Sequence, residues 1–166
     1  LSAWTCAGGF VVLVWVTALC QREGASASSY GYKRQVTGYA LHKNGYLDHG
    51  IHKFSKDLGE RLCQFHDWLA DQTPHLVYYE KPFNVPGRAA LTLNAMAGIV
   101  EKVGHEKGWV VHPVSPMTIK KAVTGTGRAT KKDMVEHIQK RFPEVRDHNE
   151  ADALGIWLWY GKLEEA

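Results

Sequence analysis

Three side chains in two stretches of this sequence have the chemistry to hold a hard cation. In "HLVYYEKPFNVPGRAA", residues 75–90, an apolar run of Leu76, Val77, Tyr78 and Tyr79 stops on Glu80. The β-branched and aromatic run predicts a strand, and Pro82 and Pro86 forbid its continuation, so Glu80 falls at the strand's C-terminal end. In open α/β sheets that edge gathers ligands and catalytic groups, because its loops hang on a rigid scaffold. In "HNEADALGIWLW", Asn149 and Asp152 lie three apart and share one face of a helix whose body is Leu154, Ile156, Trp157 and Leu158. Mg²⁺ needs few carboxylate oxygens, since water and substrate phosphate complete its shell, so a strand-end Glu and a helix-start Asp are enough to suggest a site. Plainer readings stand beside this one: Glu80 as a surface partner of Lys81 or Arg88, and Asp152 as a favourable charge near a helix N-terminus.

The charge distribution bears on the partner. The formal net charge is only +3, yet the stretch from Lys81 to Lys132 carries nine basic residues against Glu101 and Glu106. Such an excess suits a polyanion, or else forms a solvated basic face. Within it, Gly125 and Gly127 allow backbone amides to approach phosphates, flanked by Lys120, Lys121, Arg128, Lys131 and Lys132, with Lys81 and Arg88 further upstream.

The elements that must position these groups are legible in outline. The chain has 166 residues, 45% hydrophobic and 22% charged, which fits one well-buried soluble domain. Cys6, Cys20 and Cys63 form no CxxC pair and no metal-site spacing, which suits a reducing compartment. "VTGYALHKNGYLDHGIHKF" predicts a hairpin turning at Asn44 and Gly45. Leu58, Leu62, Phe65 and Leu69 predict an amphipathic helix leading into the Glu80 strand. A second helix carries Leu93, Met96, Ile99 and Val103 and stops at Gly108, and "WVVHPVSP" reads as a short buried strand closed by prolines. A Gly-rich basic loop then precedes a helix opened by Thr130 and Asp133 in capping-box spacing and carrying Met134, Ile138 and Phe142. A hairpin followed by βα alternation implies a mixed sheet flanked by helices.

Residues 1–21 contain no charge, and their apolar centre is short for a membrane span. "TALCQ" has the outline of a lipoprotein box, but Leu19 stands where a small residue is needed. Residues 1–35 therefore read as an atypical apolar segment and linker, a degraded first strand, and 36–166 as the folded domain. "FVVLVWV" has the pattern of a first strand but no carboxylate.

"VYYEKP", "GRAALTLNAMAGIVE", "SPMTIKKAVTGTGRATKKDM" and "DHNEADALGIW", in this order and spacing, resemble the RuvC-type Holliday-junction resolvases, specifically the compact phage-type branch of that RNase H-like superfamily. The resemblance runs from about Thr37 to Gly161. It implies an α/β fold with an RNase H-like mixed β-sheet flanked by α-helices. It further implies a structure-selective endonuclease of DNA recombination and repair, cutting branched DNA as a homodimer by two-metal catalysis with Mg²⁺, or Mn²⁺ in its place. Neither a small-molecule cofactor nor a membrane is implied, and a bacterial or phage-infected cytoplasm is the expected location. The family's second-strand carboxylate falls on Glu80 and its last-helix carboxylate on Asp152. Its frequent additional acid falls on Asn149, which can ligate through its carbonyl without charge. Glu150 and Asp147, nearby, point elsewhere on an ideal helix.

One departure is large. The family pattern Asp-x-x-x-x-Thr-Gly-aromatic places its first-strand aspartate at Tyr32, and Glu23 is the sole acid among residues 1–47. A changed reading frame upstream of about residue 36 accounts for this, or a relative that binds branched DNA without cutting it. An exported or membrane-anchored protein is a further alternative, supported by residues 1–21 alone.

Overall fold

The computed structural model describes residues 11–14, 36–82 and 88–164, with backbone alone for 11–14, 88, 89 and 164. The elements run β1 (Val11–Val14), β2 (Val36–Lys43), β3 (Tyr46–Lys53), α1 (Leu58–Ala70), β4 (Leu76–Glu80), α2 (Arg88–Lys107), β5 (Val110–Val114), α3 (Pro116–Thr124), α4 (Lys131–Gln139) and α5 (His148–Glu164). One five-stranded sheet has the order β3-β2-β1-β4-β5. β2 pairs antiparallel with β1 and β3, whereas β4 pairs parallel with β1 and β5. The sheet is therefore mixed, as the resemblance implied, and its RNase H-like order puts β1 at the centre.

Local chemistry explains most boundaries. Asn44 and Gly45 take φ of 50° and 81°, the left-handed pair that a tight hairpin between twisted strands requires. Asp57 opens α1 by accepting the Glu60 N–H at 2.9 Å. Thr130 and Asp133 form the reciprocal capping box expected at the start of α4. That helix stops at Gln139, so Phe142 lies in the segment leading to α5 and not on the helix.

One further expectation needs correction, and one element was not foreseen. The strand in "WVVHPVSP" is not buried: β5 is an edge strand, exposed at Val110, His112 and Pro113, and Pro113 lies inside it. A proline is tolerated there because an edge leaves one row of backbone groups unpaired. "PMTIKKAVT" is a helix, α3, with Pro116 in its first turn, where a missing N–H costs nothing. Gly125, at φ 83°, ends α3 by donating to Lys121 O at 2.9 Å, so its first role is a helix cap.

β4 buries both of its faces. Val77 and Tyr79 of β4 pack with Phe65 and Leu69 of α1 and Met96 and Val100 of α2. Tyr78 faces the opposite way, into a cluster with Ala40 of β2, Ile119, Met134, Ile138, Leu154 and Ile156 from α3, α4 and α5. By strand alternation Glu80 shares the face of Tyr78, under the three C-terminal helices. The expected first strand forms from Val11–Val14, whose sequence holds no acid, and Tyr32 lies outside the described residues.

Candidate active site

Glu80 ends β4, and the ladder continues one residue further through the Lys81 N–H to Val114 O at 2.8 Å, which fixes the strand end against β5. Asp152 comes from the start of α5, between the fully buried Ala151 and Ala153. Gly38 of β2 lets that helix sit directly on the sheet: a Cβ added there would lie 2.0 Å from the Asn149 carbonyl oxygen. Only glycine permits this approach.

Glu80 and Asp152, 72 positions apart in sequence, stand within electrostatic reach of each other. Burial is the larger force on Glu80, and the Asp152 charge adds to it; together they push its carboxyl up to about 9. Burial pushes Asp152 up to about 7, with a smaller contribution from Asp147. Both side chains still keep part of their surface open to solvent. Lys120 of α3 and Lys131 of α4 act on both carboxylates in the opposite sense, favouring ionisation. The two lysines that sequence reasoning assigned to DNA thus also belong to the carboxylate cluster.

Asn149 is buried, 6% exposed, and its Oδ1 has no hydrogen-bond partner among the described residues. A buried amide oxygen left unpaired is costly unless something accepts its lone pairs, and a cation or an ordered water does so. Asp147 accepts the Asn149 N–H at 2.7 Å, capping α5. Its charge is nonetheless felt by Asp152, whose carboxyl it helps to raise. Glu150 does point elsewhere, to His49 at 2.7 Å.

His148 was missed by sequence reasoning. Its Nε2 lies 3.4 Å from Lys131 Nζ, and burial first, then the lysine charge, holds its imidazole below the usual range. Gly38 was visible only as part of a motif, with no hint that α5 would rest on it.

Among the described residues no three or more His, Cys, Asp or Glu side chains converge as a metal group. The available set is two carboxylates, mutually repelling and only partly ionised without a counter-charge, plus the unpaired amide oxygen one helical turn before Asp152. These oxygens fit a hard divalent ion that leaves most of its shell to water and phosphate. The remaining basic candidates lie outward: Lys81, Lys121, Arg128 and Lys132 are exposed, and Lys132 lies 3.7 Å from Glu136. Gly127 packs near Met117 O, and the Arg88 side chain lies outside the described residues.

The family described as crossover junction endodeoxyribonuclease RuvC matches residues 32–159. A protein of that name from Sinorhizobium medicae is 33% identical over 117 residues, 66% of this chain and 70% of its own length. Another from Mesorhizobium japonicum is 37% identical over 106 residues, 60% of this chain and 63% of its own. The solved RuvC of Thermus thermophilus shares the fold, with a TM-score of 0.65 at 20% identity over 93% of this chain and 96% of that one. The same protein in complex with Holliday junction substrate gives 0.65 at 18% identity, over 93% and 96%.

Proposed function

This chain belongs to the RuvC family of crossover junction endodeoxyribonucleases, and we propose that it hydrolyses DNA phosphodiester bonds at branch points with Glu80, Asp152 and Asn149 as its metal-holding residues. The convergence of Glu80 and Asp152 between Lys120 and Lys131 supports this most directly. Glu80 and Asp152 would hold a divalent ion, Mg²⁺ or Mn²⁺, and Asn149 would lend a neutral oxygen. Such an ion, when bound, neutralises phosphate charge and acidifies water.

The protein's own groups do the rest. Lys120 and Lys131 place fixed positive charge beside the reacting phosphate, where charge develops in the transition state. They also reduce the repulsion between the carboxylates. Lys81, Arg88, Lys121, Gly125, Gly127, Arg128 and Lys132 would carry the backbone of branched DNA, a sequence-independent role for cations and close-approach glycines. A homodimer would match a branched substrate with two equivalent strands to cut, and the bacterial or phage-infected cytoplasm is the compartment that fits. No described helix is long and apolar enough to cross a membrane.

Family membership favours the endonuclease over a relative that binds junctions without cutting them. The want of an acid in residues 1–22 and in β1 bears on rate: one negative ligand fewer weakens cation occupancy, so cleavage should be slow. The test is cleavage of a synthetic four-way junction with Mg²⁺ or Mn²⁺ by the unmodified chain, Glu80→Gln and Asp152→Asn. Slow metal-dependent nicking abolished by either substitution is expected. Cutting that survives Glu80→Gln would remove Glu80 from the site.

A further inference from the structure

His49 lies in the middle of β3, opposite Ala40 of β2 and thus on the sheet face that α5 covers. Its Nδ1 donates to Glu150 Oε1 at 2.7 Å, its Nε2 stands 3.4 Å from Glu144 Oε1, and its ring meets Phe142 edge-on at 5.3 Å. The His49 and Glu150 side chains are 15% and 16% exposed, against 61% for Glu144, so the bond to Glu150 is the shielded one of the two. Phe142 in turn packs on Trp157 of α5, with ring centroids 6.0 Å apart. One imidazole therefore joins an edge strand, the segment between α4 and α5, and the first turn of α5.

We propose that His49 and Glu150 are a positioning pair that sets the rotation of α5 and thereby aims Asp152 and Asn149 at Glu80; this rests on the site assignment above. A helix turns about 100° per residue, so Glu150 and Asp152, two residues apart, project about 200° apart around the axis. The sheet order gives that angle its meaning: β3 lies on one side of β2 and β1, and β4 on the other. Glu150 reaches toward β3, and Asp152 reaches the opposite way, toward Glu80. A rotation that lifts Glu150 from His49 swings Asp152 by the same angle. Gly38 fixes how closely the helix approaches the sheet, and Ala151, Leu154 and Ile156 seat its apolar face in the core, but apolar packing is non-directional and sets the rotation of the first turn less sharply than a hydrogen bond does. The His49 bond adds the directional constraint at that turn, and it also keeps Glu150 from competing as a cation ligand.

The experiment compares the full chain with His49→Ala, His49→Asn, Glu150→Ala and Glu80→Gln by two readouts. One is Mn²⁺ affinity measured by electron paramagnetic resonance; the other is the backbone amide resonances of Glu80 and Asp152 in metal-free protein, with circular dichroism checking the fold. Loss of an outer partner of this kind weakens metal binding by about tenfold or more, and that is expected for His49→Ala and equally for Glu150→Ala, which deletes the same bond from the helix side. Both resonances should move. His49→Asn, whose amide keeps a donor near the Nδ1 position, should recover most of each change, which a loss of packing alone would not. A folded His49→Ala or Glu150→Ala that binds Mn²⁺ like wild type with both resonances unmoved overturns the proposal. Wild-type Mn²⁺ affinity indifferent to Glu80→Gln would instead sink the site assignment. The metal-free resonances then decide: moved in the alanine variants and restored by Asn supports the pair, and unmoved overturns it.

Discussion

Glu80→Gln should stabilise the metal-free protein at neutral pH while destroying its function, and the size of the gain should grow with pH. Burial and the neighbouring Asp152 raise the folded Glu80 carboxyl from 4.5 to about 9. The sign follows from proton linkage. A carboxyl raised on folding holds a proton that the unfolded chain has released, so the contribution of Glu80 to stability is fully present below pH 4.5 and is lost as pH rises towards 9. Each pH unit in that window costs about 1.4 kcal/mol, so the loss accumulated by pH 7 is about 3 kcal/mol. Gln is neutral at every pH and nearly the same size, so it escapes this loss, less whatever its amide hydrogens forfeit on burial. In a domain of this length 3 kcal/mol corresponds to roughly 6–12 °C in melting temperature. Thermal or urea unfolding of both proteins in chelator, from pH 4.5 to pH 9, reads the difference directly. It should be near zero at the acid end and widen steadily. Added Mn²⁺ should stabilise wild type and leave the variant unchanged. A constant difference across the range, or a variant less stable throughout, would mean that Glu80 ionises normally and is not confined beside Asp152.

Cation binding at pH 7 should release close to one proton or more, because Glu80 and Asp152, raised to about 9 and about 7, must ionise to ligate; calorimetry in buffers of different ionisation heat measures it, and zero release would refute the shared site. Replacing Lys120, Lys121 and Arg128 by Ala should flatten the salt dependence of junction binding by a log-log slope of up to about 0.9 for each phosphate no longer neutralised, and an unchanged slope in gel-shift titrations would place the DNA elsewhere. Gly38→Ala should destabilise the fold by about 1–3 kcal/mol and abolish metal-dependent cleavage, since its methyl meets the Asn149 carbonyl at 2.0 Å and α5 must lift; normal melting would show that the helix does not rest on β2.

Several features were settled within short stretches of sequence. Leu76–Glu80 is a strand ended before Pro82, the hairpin turns at Asn44–Gly45, Thr130 and Asp133 cap α4, and Glu80 and Asp152 stood out as strand-end and helix-start acids. Each depends on propensity, capping or proline geometry acting over a few residues, so neighbouring letters suffice to reveal it. α3 escaped because nine residues opening on proline carry too weak a period, and the exposure of β5 escaped because an edge strand and a buried one share composition. The rest was decided by the order β3-β2-β1-β4-β5 and by where α5 lies across it. That placement brings Glu80 beside Asp152, adds Lys120, Lys131 and His148 to the cluster, leaves Asn149 Oδ1 unpaired, and sets His49 against Glu150, 101 positions away. Local propensities cannot encode such contacts, because charge, burial and hydrogen-bond distance depend on separation in space, which sheet order and helix packing alone determine.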